Sequence, residues 1–147
     1  MTMLVASVVE RIDQAVPALT KGVEYVADLA ALVEQGVLPQ RDIAAFVLPL
    51  GFDDVGGGSS SAGAHIQNLS EAVGVVLVVR APGDAKARKA LPRIDELVEA
   101  VNAAIAGWTP GGTNGVFNVV RGRIVSVNAG ATIYQLDFKL MKQLRVM

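Results

Sequence analysis

The N-terminal segment has the spacing of apolar residues that is typical of an amphipathic helix. Apolar residues recur three or four positions apart at Leu4, Val5, Val8, Val9, Ile12 and Val16. This spacing places them on one face of a helix. Thr2 is suited to cap the start, and Pro17 marks the end because proline disfavours helical backbone in the residue before it. Glu10, Arg11 and Asp13 interrupt the apolar run, so we interpret it as a mature helix and not as a signal peptide.

Shorter elements follow this helix. Residues 22–26 (GVEYV) alternate weakly and predict a short strand, and residues 27–34 predict a short helix that stops near Gly36. The apolar run at residues 43–50 (IAAFVLPL) predicts another strand. Pro49 lacks a backbone N–H, so we expect it at an edge or at the end of the pairing.

The middle of the chain combines a predicted loop with a predicted central strand. Residues 52–64 contain GGGSSSAGA, which offers little apolar surface to offset the entropy cost of ordering, and they predict a flexible loop. Residues 69–80 (LSEAVGVVLVVR) predict the central strand. Its core, residues 75–79, is apolar on both faces, so it requires cover on both sides. A second subunit is one possible source of the second cover.

A long helix is predicted next, and we expect Asp84 to open it and Gly107 and Pro110 to end it. Its apolar stripe consists of Leu91, Ile94, Leu97, Val98, Val101, Ile105 and Trp108. Pro92 would cost about 3 kcal/mol in a helix interior. It therefore belongs in the first turn of the main helix, or the helix breaks there and restarts. We interpret Trp108 as a core residue at the helix end.

The C-terminal region predicts two or three strands, with interruptions near Gly122 and near residues 128–130. The last strand alternates: Thr132, Tyr134, Leu136, Phe138 and Leu140 fall on one side, and Ile133, Gln135, Asp137 and Lys139 on the other. The whole chain, residues 1–147, is therefore predicted to be a single α+β domain. It would have a mostly antiparallel mixed sheet with two main helices packed on one face.

Composition narrows the possible functions. The net charge of −1 lacks the basic footprint of nucleic-acid binding. The absence of cysteine excludes disulfides and thiolate chemistry. No apolar run reaches the length of about 18 residues that a membrane-spanning helix requires, so we expect no membrane partner.

Candidate chemistry is sparse. The glycine-rich loop has no lysine and leads into a strand, unlike a phosphate-binding loop. Ser59 to Ser61 with His65 leave open a small hydrolase, and His65 with Asp53 and Asp54 would be the nearest metal ligands. A flexible solvated loop explains these residues better, so we predict no catalytic residue, no cofactor and no metal. A small-molecule-binding α+β domain is a further alternative.

Several segments together resemble the tail terminator proteins of long-tailed bacteriophages of the lambda type. Besides the Gly/Ser loop, they are AFVLPLG at 45–51, VGVVLVVRAPGDAKAR at 73–88, AAIAGWTP at 103–110 and VFNVVRGRIVSVNAGATIYQLDF at 116–138. The resemblance implies a hexameric ring that caps the finished tail tube, halts its polymerisation and meets the connector of the head. It also implies a virion protein of the tail or neck, assembled in the host bacterial cytoplasm. DNA would pass through the ring without specific binding. Another neck or head–tail completion protein remains the alternative.

A ring subunit needs two different contact surfaces, because one face of each copy meets another face of its neighbour. We predict that the polar side of the last strand forms one of them, since charged pairing gives an interface register and specificity. The predicted interface residues are Arg121, Arg123, Gln135, Asp137 and Lys139. On this interpretation, replacing Asp137 with Arg leaves the fold intact and weakens assembly.

Overall fold

The computed structural model describes residues 2–27, 42–83, 88–111, 115–128 and 130–146. The predicted helix at residues 27–34 and the predicted helix start at Asp84 therefore lie outside the described residues, apart from residue 27. In chain order the elements are helix α1 (Thr2–Ala15), a 3-10 turn (Pro17–Leu19), strands β1 (Val23–Tyr25), β2 (Ile43–Asp54), β3 (Ser59–Ser61) and β4 (Ala64–Arg80), helix α2 (Ala90–Ile105), and strands β5 (Phe117–Asn128) and β6 (Ala131–Val146).

The strands form one mixed sheet with the order β1-β2-β4-β6-β5, and β3 pairs with the start of β4. Among the described strands only β1 and β2 are parallel, and the other pairs are antiparallel. Both helices pack on one face, so the predicted α+β class is confirmed. In the described ranges, no helix is long and apolar enough to cross a lipid bilayer.

The main core lies between the two helices and the sheet. It contains the predicted stripe of α1, the inward face of α2 and alternate residues of β4 and β6, among them Val8, Ile12, Leu97, Val101, Val75, Leu77, Leu136 and Phe138. Because the side chains of β4 alternate between faces, the intervening residues form a second buried cluster on the opposite side of the sheet. Its members are Ala44, Phe46, Leu48, Val76, Val78 and Ile133. This cluster is buried within the single chain, so no second subunit is needed to cover the central strand.

Strand β2 is longer than predicted. Pro49 pairs opposite Val73, and the strand passes through a bulge at Leu50 and continues to Asp54. Strand β1 pairs only with residues 45–47, so Pro49 lies where β2 has no described neighbour on its outer side. Pro49 is thus at an open edge, as expected, but it does not end the pairing.

The prediction that residues 52–64 form one continuous loop is wrong. Residues 52–54 continue β2, and β3 pairs with residues 64–66 in a tight hairpin. Apolar side chains are scarce in this region, and hydrogen bonds to the backbone hold it in place. The Val55 N–H donates to the Asn68 carbonyl oxygen at 3.0 Å. The Asn68 side-chain amide in turn donates to the Gly56 carbonyl oxygen at 3.1 Å.

Helix α2 begins at Ala90 and not at Asp84, but the signals of Pro92 and Gly107 are confirmed. Pro92 lies in the first turn of the helix, where a backbone N–H has no helical partner. After Ile105 the chain reverses through Gly107, whose φ of +78° favours glycine. Trp108 then stacks on Phe117 with ring centroids 5.8 Å apart. The Arg11 guanidinium of α1 lies 5.4 Å from the centre of the Trp108 ring, so this corner joins both helices to β5.

Strand β5 runs through Gly122 without a break. Two bulges, between Val119 and Arg121 and between Ile124 and Ser126, replace the predicted interruption. A β-carbon at Gly122 would lie 2.7 Å from the Tyr134 hydroxyl oxygen, so glycine here reflects close packing and not a chain break. The predicted interruption near residues 128–130 is confirmed, because β5 ends at Asn128 and β6 begins at Ala131.

Candidate interaction surface

The five predicted interface residues lie together on the sheet face opposite the helices. Arg121 of β5 is paired in register with Asp137 of β6, and Arg123 is paired with Gln135. Lys139 is two residues beyond Asp137 on β6, and the period of two keeps it on the same face. The sheet register therefore brings the Arg121/Arg123 pair and the polar side of the last strand into one patch.

Two members of this patch are buried and bonded within the chain. Gln135 and Asp137 are only 6% and 7% exposed. The Gln135 side-chain amide donates to Asp137 Oδ1 at 2.7 Å, and Arg121 Nε donates to Asp137 Oδ2 at 3.1 Å. The carboxylate of Asp137 is thus occupied by internal partners and presents little surface to another molecule.

Gly74 of β4 makes room for this buried network. A β-carbon at Gly74 would lie 3.3 Å from Gln135 Nε2 and 3.5 Å from Asp137 Oδ1. Any side chain there would press on the hydrogen bond between the two residues. The sequence pattern around Gly74 carries no sign of this role, because the partners come from a strand about 60 residues away.

The exposed part of the patch is basic. The Arg121 side chain is 58% exposed, and Arg123 and Lys139 are also exposed. Three cationic side chains therefore face one carboxylate, that of Asp137, which is largely covered. The patch can attract an acidic partner, because its one carboxylate is bonded internally and contributes little accessible charge.

The structure reveals two further surfaces that the sequence pattern did not distinguish from core. The first is the outer strand β5, where five apolar side chains are 37% to 51% exposed. They are Val119, Val120, Ile124, Val125 and Val127. The second is a sheet extension formed by residues 49–54, 59–70 and 141–146, which exposes Leu50, Phe52, Met141, Leu144 and Val146. The alternation of apolar residues shows which face of a strand is apolar. It does not show how far along the strand the helices cover that face.

An ion pair marks the base of the sheet extension. Lys142 of β6 donates to the carboxylate of Glu71 on β4. Glu71 is buried, whereas Lys142 is partly exposed. A buried carboxylate needs such a partner because its desolvation is otherwise uncompensated.

The hairpin of β3 and β4 brings together the residues of the hydrolase alternative. Ser60 Oγ lies 2.5 Å from His65 Nδ1, and His65 Nε2 lies 3.2 Å from Gln67 Oε1. An amide oxygen only accepts, so the bond to Gln67 uses a proton on His65 Nε2, and in the neutral ring Nδ1 then accepts from the Ser60 hydroxyl. These groups border an open depression of about 330 Å³.

The geometry of this hairpin falls short of a charge-stabilised triad. Gln67 is a neutral amide, so it cannot stabilise an imidazolium as the aspartate of a serine protease triad does. Ser60 and His65 are also exposed to water. Across the described ranges, no group of three His, Asp or Glu side chains is placed to hold a metal ion.

The fold is shared with a virion protein. A solved chain described as "Virion of native gene transfer agent (GTA) particle" is 17% identical, with 97% of this chain and 96% of that chain covered, and a TM-score of 0.54. A second solved chain is 15% identical over 95% of this chain and 91% of its own, but its TM-score of 0.39 supports no argument. No curated protein matches the chain.

The family match goes beyond the fold. The model of the family described as "Phage tail terminator protein" matches residues 1–146. The chain therefore belongs to the phage tail terminator family, and it is a structural protein of phage-type tails.

Proposed function

We propose that this protein caps the finished tail tube as a ring, ends polymerisation of the tube and joins the tail to the head connector. The observation that carries the proposal is the family match over residues 1–146, nearly the whole chain. A hexamer is the ring size that the family likeness implies. The protein would act in the neck of the virion after assembly in the host bacterial cytoplasm.

The distribution of surface on the subunit supports this role. In a ring, one face of each copy meets a different face of its neighbour. The two ends of the ring need further surfaces for the tube and the connector. The chain offers three: the basic patch around Arg121, Arg123 and Lys139, the apolar outer strand β5, and the sheet extension. Exposed apolar side chains concentrated on two elements mark contact sites for other proteins.

In the proposed ring, DNA passes through without being read. The basic patch contains no aromatic side chain on which bases could stack, and base stacking dominates sequence-tolerant binding of single strands. The net charge of −1 also gives little general attraction to phosphate. Filter binding with duplex DNA at physiological salt should therefore show no specific retention.

The test of the capping role is the morphology of particles that lack this protein. Loss of a terminator should give tails longer than normal, because nothing stops the addition of tube subunits. Complementation with the wild-type chain should restore both tail length and head attachment. Tails of normal length without heads would contradict capping and support the alternative of a head–tail completion protein.

The proposed role involves no catalysis, although Ser60 and His65 are in contact. Replacing His65 with Ala tests this by chemistry and not by tail morphology, because His65 belongs to the sheet extension, which is itself a proposed contact surface. The same variant should show no change in the hydrolysis of a reporter ester. Turnover by the wild type that disappears in the variant would contradict this part of the proposal.

A further inference from the structure

Strand β5 is an uncovered sheet edge. It pairs with β6 on one side, and no other described strand pairs with it on the other. It is 12 residues long, and its side chains Val119, Ile124 and Val127 are exposed on the helix side of the sheet. A long apolar edge strand pairs readily with another strand, and proteins normally cover or blunt such an edge.

The chain has a second open edge on the opposite side of the sheet. Strand β1 covers only residues 45–47 of β2, so residues 50–54 have no described partner on their outer side. Phe52 is 53% exposed there, and Asp53 is exposed as well. Pro49 marks one end of this edge, because it has no backbone N–H to donate to a neighbouring strand.

The two edges match in direction and in the chemistry of each face. Strands alternate in direction from β2 through β4 and β6 to β5, so β2 and β5 run antiparallel across the sheet. Phe52 lies opposite Glu71 on the helix side of the sheet, the side that also carries Val119 and Ile124. Asp53 lies on the other side, as does Arg123. Apolar residues would thus meet apolar residues on one face, and acid would meet base on the other.

We propose that β5 of one copy pairs antiparallel with residues 50–54 of β2 in the next copy, so that the sheet continues from subunit to subunit. Asp53 pairs with Arg123, and in the same register Phe52 packs against Ile124. Because the two edges differ, the contact is head-to-tail and can close into a ring. This inference rests on the proposed ring and identifies the residues that build it.

Charge disfavours the competing arrangement, in which β5 pairs with β5 of a second copy around a twofold axis. An antiparallel pair centred near Gly122 would bring Arg121 of one copy opposite Arg123 of the other. Like charges directly opposite each other destabilise a strand pair. The acidic edge of β2 is the complementary partner that the chain itself provides.

The test is a reciprocal charge exchange read by sedimentation velocity. Asp53→Arg and Arg123→Glu should each raise the concentration at which half of the rings dissociate by about tenfold or more. Each substitution places two like charges opposite each other across the contact. Both side chains are exposed, so circular dichroism should show an unchanged fold. The double variant Asp53→Arg/Arg123→Glu should recover the wild-type value to within about threefold, since opposite charges again meet at every contact.

An equal mixture of the two single variants provides a second, independent test of the pairing. In rings that alternate the two variants, each introduced arginine meets an introduced glutamate, and each remaining Asp53 meets a remaining Arg123. The mixture should therefore form rings at a lower concentration than either variant does alone. Arg93→Glu is the matched control, because Arg93 is exposed on helix α2 and belongs to neither strand edge. An equal loss of rings in this control would overturn the pairing, because net charge alone would then explain the effect.

Other outcomes are equally decisive. Single variants that keep their rings would overturn the pairing. An effect of Arg123→Glu without any effect of Asp53→Arg would also overturn it, and this outcome would favour twofold pairing of β5. Rings that respond to the exchange as expected but leave tail tubes growing would support the pairing and refute the capping function alone. A wild type that stays monomeric at every concentration, even with tail tubes present, would refute both.

Discussion

The buried network around Asp137 allows a quantitative prediction about the fold. In the Asp137→Ala variant, the buried Gln135 amide loses its acceptor and Arg121 loses its ion-pair partner. The loss of Gln135's partner should dominate, because that amide is buried and the Arg121 side chain is 58% exposed. Removal of Arg121 should matter less, since water can then reach Asp137 Oδ2.

The magnitudes follow from these two environments. A hydrogen bond to a charged group contributes about 1.5–3 kcal/mol, and an exposed ion pair contributes about 0–1 kcal/mol. Asp137→Ala should therefore cost roughly 2–4 kcal/mol, and Arg121→Ala at most about 1 kcal/mol. For a domain of this size, each kcal/mol lowers Tm by about 2–4 °C. The expected fall in Tm is therefore roughly 4–16 °C for Asp137→Ala and below about 4 °C for Arg121→Ala.

Thermal and urea unfolding of both variants would measure this difference. Each melt should be repeated at two protein concentrations, so that any contribution from assembly is visible as a shift of Tm. Equal losses in the two variants would refute the reasoning, because they would make the exposed ion pair as important as the buried bond. The same burial revises the expectation for Asp137→Arg: a guanidinium beside Arg121 in this site should destabilise the fold itself.

Three further substitutions test the packing. Val101→Asp should unfold the protein, because an unpaired buried charge costs several kcal/mol; Ala103→Asp on the exposed side of α2 is the control for circular dichroism. Phe138→Ala should cost about 3–5 kcal/mol in urea unfolding, since the ring is fully buried. Gly107→Ala should cost about 1 kcal/mol because of its positive φ, whereas Gly111→Ala, with open space and no such φ, should be neutral by Tm.

The sequence predicts the elements of this fold well where burial and periodicity coincide. The stripe of α1 and the first-turn position of Pro92 are signals within a few residues, and the structure confirms both. The apolar run at residues 75–79 also predicts a centrally placed strand. In each case the side chains that decide the structure are neighbours in the sequence.

Prediction failed where the deciding partner is distant in the sequence. Gln135 and Asp137 look like a solvated strand face, but Gly74 and Arg121 on neighbouring strands enclose and bond them. Residues 52–64 have the composition of a loop, yet pairing with β4 makes much of the region strand. No local pattern specifies this pairing. The sequence thus placed the predicted interface residues on one face of the sheet, but it did not show which of them are internal and which are accessible.

The lengths of the elements explain why so much of the sheet is left for other proteins. Helix α2 has 16 residues and spans about 24 Å, whereas β4 has 17 residues and spans about 56 Å. Even a helix lying along the strand would therefore cover less than half of it. Inside the helix-covered part both faces of β4 are buried, and outside it the sheet extension carries exposed Phe52, Leu144 and Val146. Because the sheet extends beyond its helices, its free end contacts either solvent or a partner protein. The apolar residues exposed there favour a partner.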